Sequence, residues 1–167
     1  MYEKGQFIIY GVRGVCEVVD ITTLDRPGGS EGKLYYVLRP YAQKASKIVT
    51  PVDSEKTVTR PLLSREEALE LIDGIQEVPE LEVPSDKQGE ERYNEALKTC
   101  DCRAWVGMIK TLYTRRRSRM AQGKKMTDLD ERYFRSAEDN LCSELSVSLG
   151  MPREDVEAYI KERVSKK

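Results

Sequence analysis

Residues 6–23, QFIIYGVRGVCEVVDITT, decide the first half of the fold. Two runs rich in Ile, Val, Tyr and Phe, Gln6–Tyr10 and Gly14–Ile21, flank Gly11 and Gly14. β-Branched and aromatic residues bounded by turn residues predict two strands joined by a tight turn. Leu34–Arg39 (LYYVLR) predicts a third strand, and Lys47–Thr50 (KIVT) and Thr57–Arg60 (TVTR) predict two shorter ones. Between the second and third lies Asp25–Lys33 (DRPGGSEGK), whose Pro and Gly content marks a hairpin loop. Pro51 and Pro61 cannot donate to a ladder, so each predicts a strand end or an exposed edge. Strands this short and closely spaced predict a small, strongly bent sheet or barrel.

Beyond this region the period changes to that of a helix. Ser64-Arg65-Glu66-Glu67 has capping-box spacing and leads into Ala68, Leu69, Leu71 and Ile72. Gln76–Pro84 (QEVPELEVP) has two prolines and no helical repeat, and predicts a semi-extended acidic linker. Four helices are expected from Asp86 onward. Asp101 is a good N-cap for the second of them, which carries apolar residues at 102, 105, 106, 109, 112 and 113. Thr127-x-x-Asp130 opens the third, and Gly150 and Pro152 separate it from the fourth. The fold class expected is therefore α+β, with a β domain over 1–62, a helix and linker over 63–85, and a four-helix domain over 86–167.

Of the 167 residues, 39% are hydrophobic and 34% charged, which excludes a chain disordered throughout. No apolar run reaches the ~20 residues of a membrane span, and the N-terminus lacks a signal-peptide core, so a cytoplasmic protein is expected. Histidine is absent. That removes Ser-His-Asp and Cys-His catalysis, histidine metal sites and histidine pH switching. Cys16, Cys100, Cys102 and Cys142 are scattered, and Cys100-x-Cys102 is a poor zinc knuckle, so buried thiols and no metal are expected. The loop before Lys33 fails the phosphate-cradle pattern twice, at Pro27 and Leu34. The adjacent pairs Glu66/Glu67 and Glu90/Glu91 do not face one another on a helix. No enzyme activity and no cofactor are expected.

Charge is distributed unevenly. Up to Ser85 there are 10 basic and 14 acidic residues, and after it 18 and 15. Lys110, Arg115, Arg116, Arg117, Arg119, Lys124 and Lys125 follow one another without an intervening acid. Such a run is either a solvated helix end, where cations complement the macrodipole, or a phosphate-binding patch. Trp105, the only tryptophan, shares its helical stripe with Cys102, Val106, Ile109 and Leu112 and is expected in the core.

The order of these pieces resembles the CarD/CdnL family of bacterial transcription regulators. The resemblance is carried by Ile9-Tyr10-Gly11-x-x-Gly14 with Val15–Ile21, Tyr35–Arg39, Ile48–Val52, and Arg60-Pro61 leading into Ser64-x-Glu66-Glu67. It continues through Arg92-Tyr93, Ala104–Tyr113 and Ala137–Leu145. It implies a Tudor-like N-terminal domain, shared with transcription-repair coupling factors, that docks on the β1 lobe of the RNA polymerase β subunit. Partner contact is then expected at Val37, Val49 and Pro51, and at Arg26 in the loop after the second strand. It also implies a helical domain lying on promoter DNA near the upstream edge of the bubble. The DNA-facing candidates are Arg92, Arg115, Arg116, Arg117, Arg119, Lys124 and Lys125. In the family a tryptophan wedges the minor groove; here its place falls at about Gln88-Gly89, neighbouring basic positions become Glu91 and Asn94, and a later one becomes Glu131. These acids motivate a second expectation, a polymerase-bound adaptor whose helical domain binds another protein.

Overall fold

A computed structural model describes residues 2–23, 32–83 and 85–165. The chain forms two compact units, Met1–Leu62 and Leu63–Lys167. In the first, five antiparallel strands form one sheet: β1 (Phe7–Tyr10), β2 (Val15–Thr23), β3 (Leu34–Pro40), β4 (Ile48–Pro51) and β5 (Thr59–Pro61). Their order is β4-β3-β2-β1-β5, so the sheet is open, with β4 and β5 at its two edges. The fold class is α+β, as the periods of the sequence require.

One irregularity sets the core. Cys16 and Val18 are spaced to share a face, but Ile21 is three residues beyond Val18 and would fall on the opposite face of a regular strand. The register of β2 on β3 shifts between Val18 and Asp20, so Val18 pairs with Leu38 and Asp20 with Val37. Val19 is the extra residue of this bulge, and it returns Ile21 to the face of Val18. The buried cluster on that face is Ile8, Cys16, Val18, Tyr36 and Leu38, with Ile21, Ile48 and Val52 packed against it. Each fully buried aliphatic side chain here contributes roughly 1.5–3 kcal/mol. Gly11, at φ +50°, makes the β1–β2 turn, and its N–H donates to the Val58 carbonyl at 2.8 Å. A Cβ there would lie 2.7 Å from the Thr57 Cγ2, so the position excludes other residues on two counts.

The second unit holds α1 (Arg65–Asp73), α2 (Gly89–Lys98), α3 (Cys102–Ala121), α4 (Asp128–Leu149) and α5 (Arg153–Ser165). The expected caps are present. Ser64 and Glu67 form a complete capping box, Asp101 accepts from the Arg103 N–H, Thr127 accepts from the Asp130 N–H, and Gly150 is left-handed at φ +68°. Trp105, Met108, Leu112, Tyr93, Ala137, Leu145 and Val156 are buried, and the Tyr93 and Tyr133 rings meet tilted at 43° with centroids 5.3 Å apart. The unit begins at Leu63 because Leu63 is held there. Its N–H donates to the buried Glu144 at 2.8 Å, and its carbonyl accepts from the Ser148 hydroxyl at 2.7 Å.

The proline segment expected as a linker is part of this unit. The Lys110 ammonium donates to the Val78 carbonyl at 2.6 Å, the Thr111 hydroxyl to the Leu81 carbonyl at 2.7 Å, and the Leu81 N–H to the Gly107 carbonyl at 3.1 Å. Acceptors that a proline strand cannot pair within itself are satisfied by side chains of α3, and residues 78–81 form a strap across that helix. Gly107 permits the approach, since a Cβ would lie 2.7 Å from the Pro79 carbonyl oxygen.

Candidate functional site

The free edge at β4 follows from its register. Val52 donates to the Leu34 carbonyl at 3.0 Å, and the pairs Thr50–Tyr36, Val49–Val37 and Pro51–Tyr35 continue the ladder. In an antiparallel pair, hydrogen-bonded and non-bonded positions alternate. Thr50 and Ile48 therefore point their backbone groups at β3, while Val49 and Pro51 point theirs outward. The edge offers the Val49 N–H and carbonyl and the Pro51 carbonyl. Pro51 has no N–H, which removes one donor and limits nonspecific pairing.

The side chains alternate the other way. Thr50 is buried beneath the sheet, and Val49 stands 45% exposed on the opposite face beside Val37. Tyr35 and Pro51 are the next cross-strand pair on that face, and the Arg39–Glu17 ion pair at 3.0 Å flanks Val37. Three predicted contact residues, Val37, Val49 and Pro51, are thus brought onto one face at the free edge. Arg26 lies outside the described residues. Tyr35 was missed, although its alternation with Val37 carried the signal.

The predicted cationic residues do not share one surface. Arg115 donates through Nε to Asp130 at 3.0 Å, and that carboxylate is 3% exposed. Arg119 donates to the Lys125 carbonyl at 2.7 Å, closing the α3–α4 turn. Arg117 lies over the Tyr113 ring at 6.0 Å. Arg92, on α2, lies 3.9 Å from Glu95. Arg116, Lys124 and Lys125 are exposed, and among the described residues they have no carboxylate within ion-pairing distance. They border a cleft of about 800 Å³ at the α3–α4 turn, whose apolar lining is Met120, Met126 and Phe134. Gln88 is exposed and Gly89 is buried against Tyr93, so the position of the family's wedge presents no aromatic side chain.

All four cysteines are buried and none is in a disulfide, Cys102 donating to Glu144 at 3.0 Å, and burial pushes Cys16 and Cys142 up to about 11. Among the described residues no cluster of three acidic, cysteine or histidine side chains could hold a metal ion, and no helix is long and apolar enough to cross a membrane.

No curated protein matches the chain. Residues 2–62 match the family model described as the CarD-like/TRCF RID domain, and this span coincides with the open-sheet unit. The N-terminal unit of this chain is thus a CarD-like/TRCF RID domain, an RNA polymerase-interacting domain.

Proposed function

We propose that the protein is a cytoplasmic transcription regulator that docks on the β1 lobe of the RNA polymerase β subunit through the edge of β4. Docking there brings the helical unit to promoter DNA at the upstream edge of the bubble. The single observation that carries this reading is the coincidence of Val37, Val49 and Pro51 on one face beside backbone groups that have no strand partner among the described residues. An added strand draws affinity from the Val49 N–H and carbonyl and specificity from the flanking side chains. Retention of purified β1 lobe by the full chain tests it. Val49→Lys should weaken binding at least tenfold with an unchanged circular dichroism spectrum. Absence of binding by the wild type at micromolar concentration would end the reading.

For the helical unit, DNA contact rests on Arg92, Arg116, Arg117, Lys124 and Lys125, because Arg115 and Arg119 are engaged within the fold. A specific observation favours a second reading, in which this unit binds another protein. Its free cations border an apolar cleft, and duplex phosphates have no use for Met120, Met126 and Phe134. A salt titration separates the two. Counterion release gives DNA affinity a steep loss with salt, whereas no DNA binding at low salt leaves the adaptor.

A further inference from the structure

The cleft has two walls of different electrostatic character. On the α3 side and in the turn stand Arg116, Lys124 and Lys125, exposed and without an ion-pair partner among the described residues. The α4 wall carries acids, but most are already compensated. Glu131 is bound by Arg135 at 2.8 Å, and Asp139 is bound by Arg153. Asp128 occupies the first turn of α4, where the helix dipole stabilises its charge. Burial, and then Glu157 facing it, push the Glu138 carboxyl up, while Arg153 and Arg116 act against them, so Glu138 answers part of the Arg116 charge. With Glu131 and Asp139 paired and Glu138 coupled to Arg116, the positive excess of the cleft is small and is carried by Lys124 and Lys125 in the turn. Its floor is apolar and only partly covered, with Met120 61% exposed near the half-buried Met126 and Phe134. Methionine supplies a deformable surface that accepts varied apolar side chains.

From this juxtaposition we infer that the α3–α4 cleft is a docking groove for an acidic peptide segment of a partner protein carrying bulky apolar side chains. The apolar side chains enter over Met120 and Phe134, and the carboxylates meet Arg116, Lys124 and Lys125. A polyphosphate is the poorer occupant, because it leaves the apolar floor of Met120, Met126 and Phe134 uncovered. The inference rests on the protein-binding reading of the helical unit and is independent of docking at β4.

The test uses the full chain labelled with ¹³C at its methionine methyls. The probe is a twelve-residue peptide alternating Asp or Glu with Leu or Phe. Controls are the same peptide with its acids changed to Lys, the same peptide with its apolar residues changed to Ser, and a duplex DNA. The acidic-apolar peptide should shift the Met120 and Met126 methyls saturably and leave the buried Met108 methyl in place. Each control should bind at least tenfold more weakly. Met120→Asp, and separately Lys124→Glu with Lys125→Glu, should each weaken the peptide at least tenfold while the Met108 signal reports an intact core. Failure of the peptide to shift Met120, or equal binding of the serine-substituted peptide, would overturn the inference. Shifts caused by duplex DNA instead would return the helical unit to the DNA reading. Binding of β1 lobe by the same sample, measured in parallel, reports on the β4 edge and is not affected by either outcome.

Discussion

Arg115 and Arg117 stand two positions apart in one basic run and do different work. Successive helical residues diverge by about 100°, so the run splits into stripes four residues apart. Arg115 and Arg119 face Asp130 and the α3–α4 turn, Arg116 aligns with Met120 along the cleft, and Arg117 aligns with Tyr113. Arg115→Ala strands a buried carboxylate and should cost about 3 kcal/mol, the lower end for breaking a buried pair because the arginine is partly exposed. Arg117→Ala should change stability by less than about 0.5 kcal/mol. Urea denaturation of the two variants checks the contrast, and equal effects would remove Arg115 from its structural role. Trp105→Ala should cost about 3–5 kcal/mol in the same assay, since the ring is fully buried. The burial of Trp105 was legible from its stripe-mates. The division of the arginines was not, because the sequence shows which residues share a stripe but not which stripe meets α4.

The strap across α3 turns a helix glycine into an essential contact. In an isolated helix Gly→Ala stabilises by about 1 kcal/mol. At Gly107 the added Cβ would meet the Pro79 carbonyl oxygen at 2.7 Å, and backbone cannot yield as a side-chain tip does. Gly107→Ala should therefore destabilise, by roughly 1–3 kcal/mol of overpacking. Thermal melting followed by Trp105 fluorescence reads the sign, and a raised Tm would mean that the strap is not seated on α3. The prolines of residues 76–84 lack any period, so the sequence alone reads them as a linker. The Val78 and Leu81 carbonyls find donors on Lys110 and Thr111, about 30 positions later, and no local pattern announces a pairing so distant. The sheet was more legible, since its strands declare themselves by composition and its edge by Pro51. The bulge at Val19 was implicit in the odd spacing of Val18 and Ile21.

Each of the two units contains a buried thiol with a raised pKa, Cys16 beneath the sheet and Cys142 on α4. Both move from 9.0 to about 11, with desolvation the largest cause. Between those values the unfolded chain has released these protons and the folded chain retains them. The folded state then binds more protons than the unfolded one, so stability falls as pH rises from 9 to 11 and is unaffected by these groups below 9. Trp105 fluorescence reports the helical unit, and pulsed thiol labelling of Cys16 during urea unfolding reports the sheet unit. Both midpoints should decline between pH 9 and 11. Cys142→Ala should flatten the decline seen by Trp105, whatever small cost the substitution itself carries, because the slope depends only on proton uptake. A Cys142→Ala curve parallel to wild type over that interval would show that exclusion of the thiolate does not limit the alkaline stability of the helical unit.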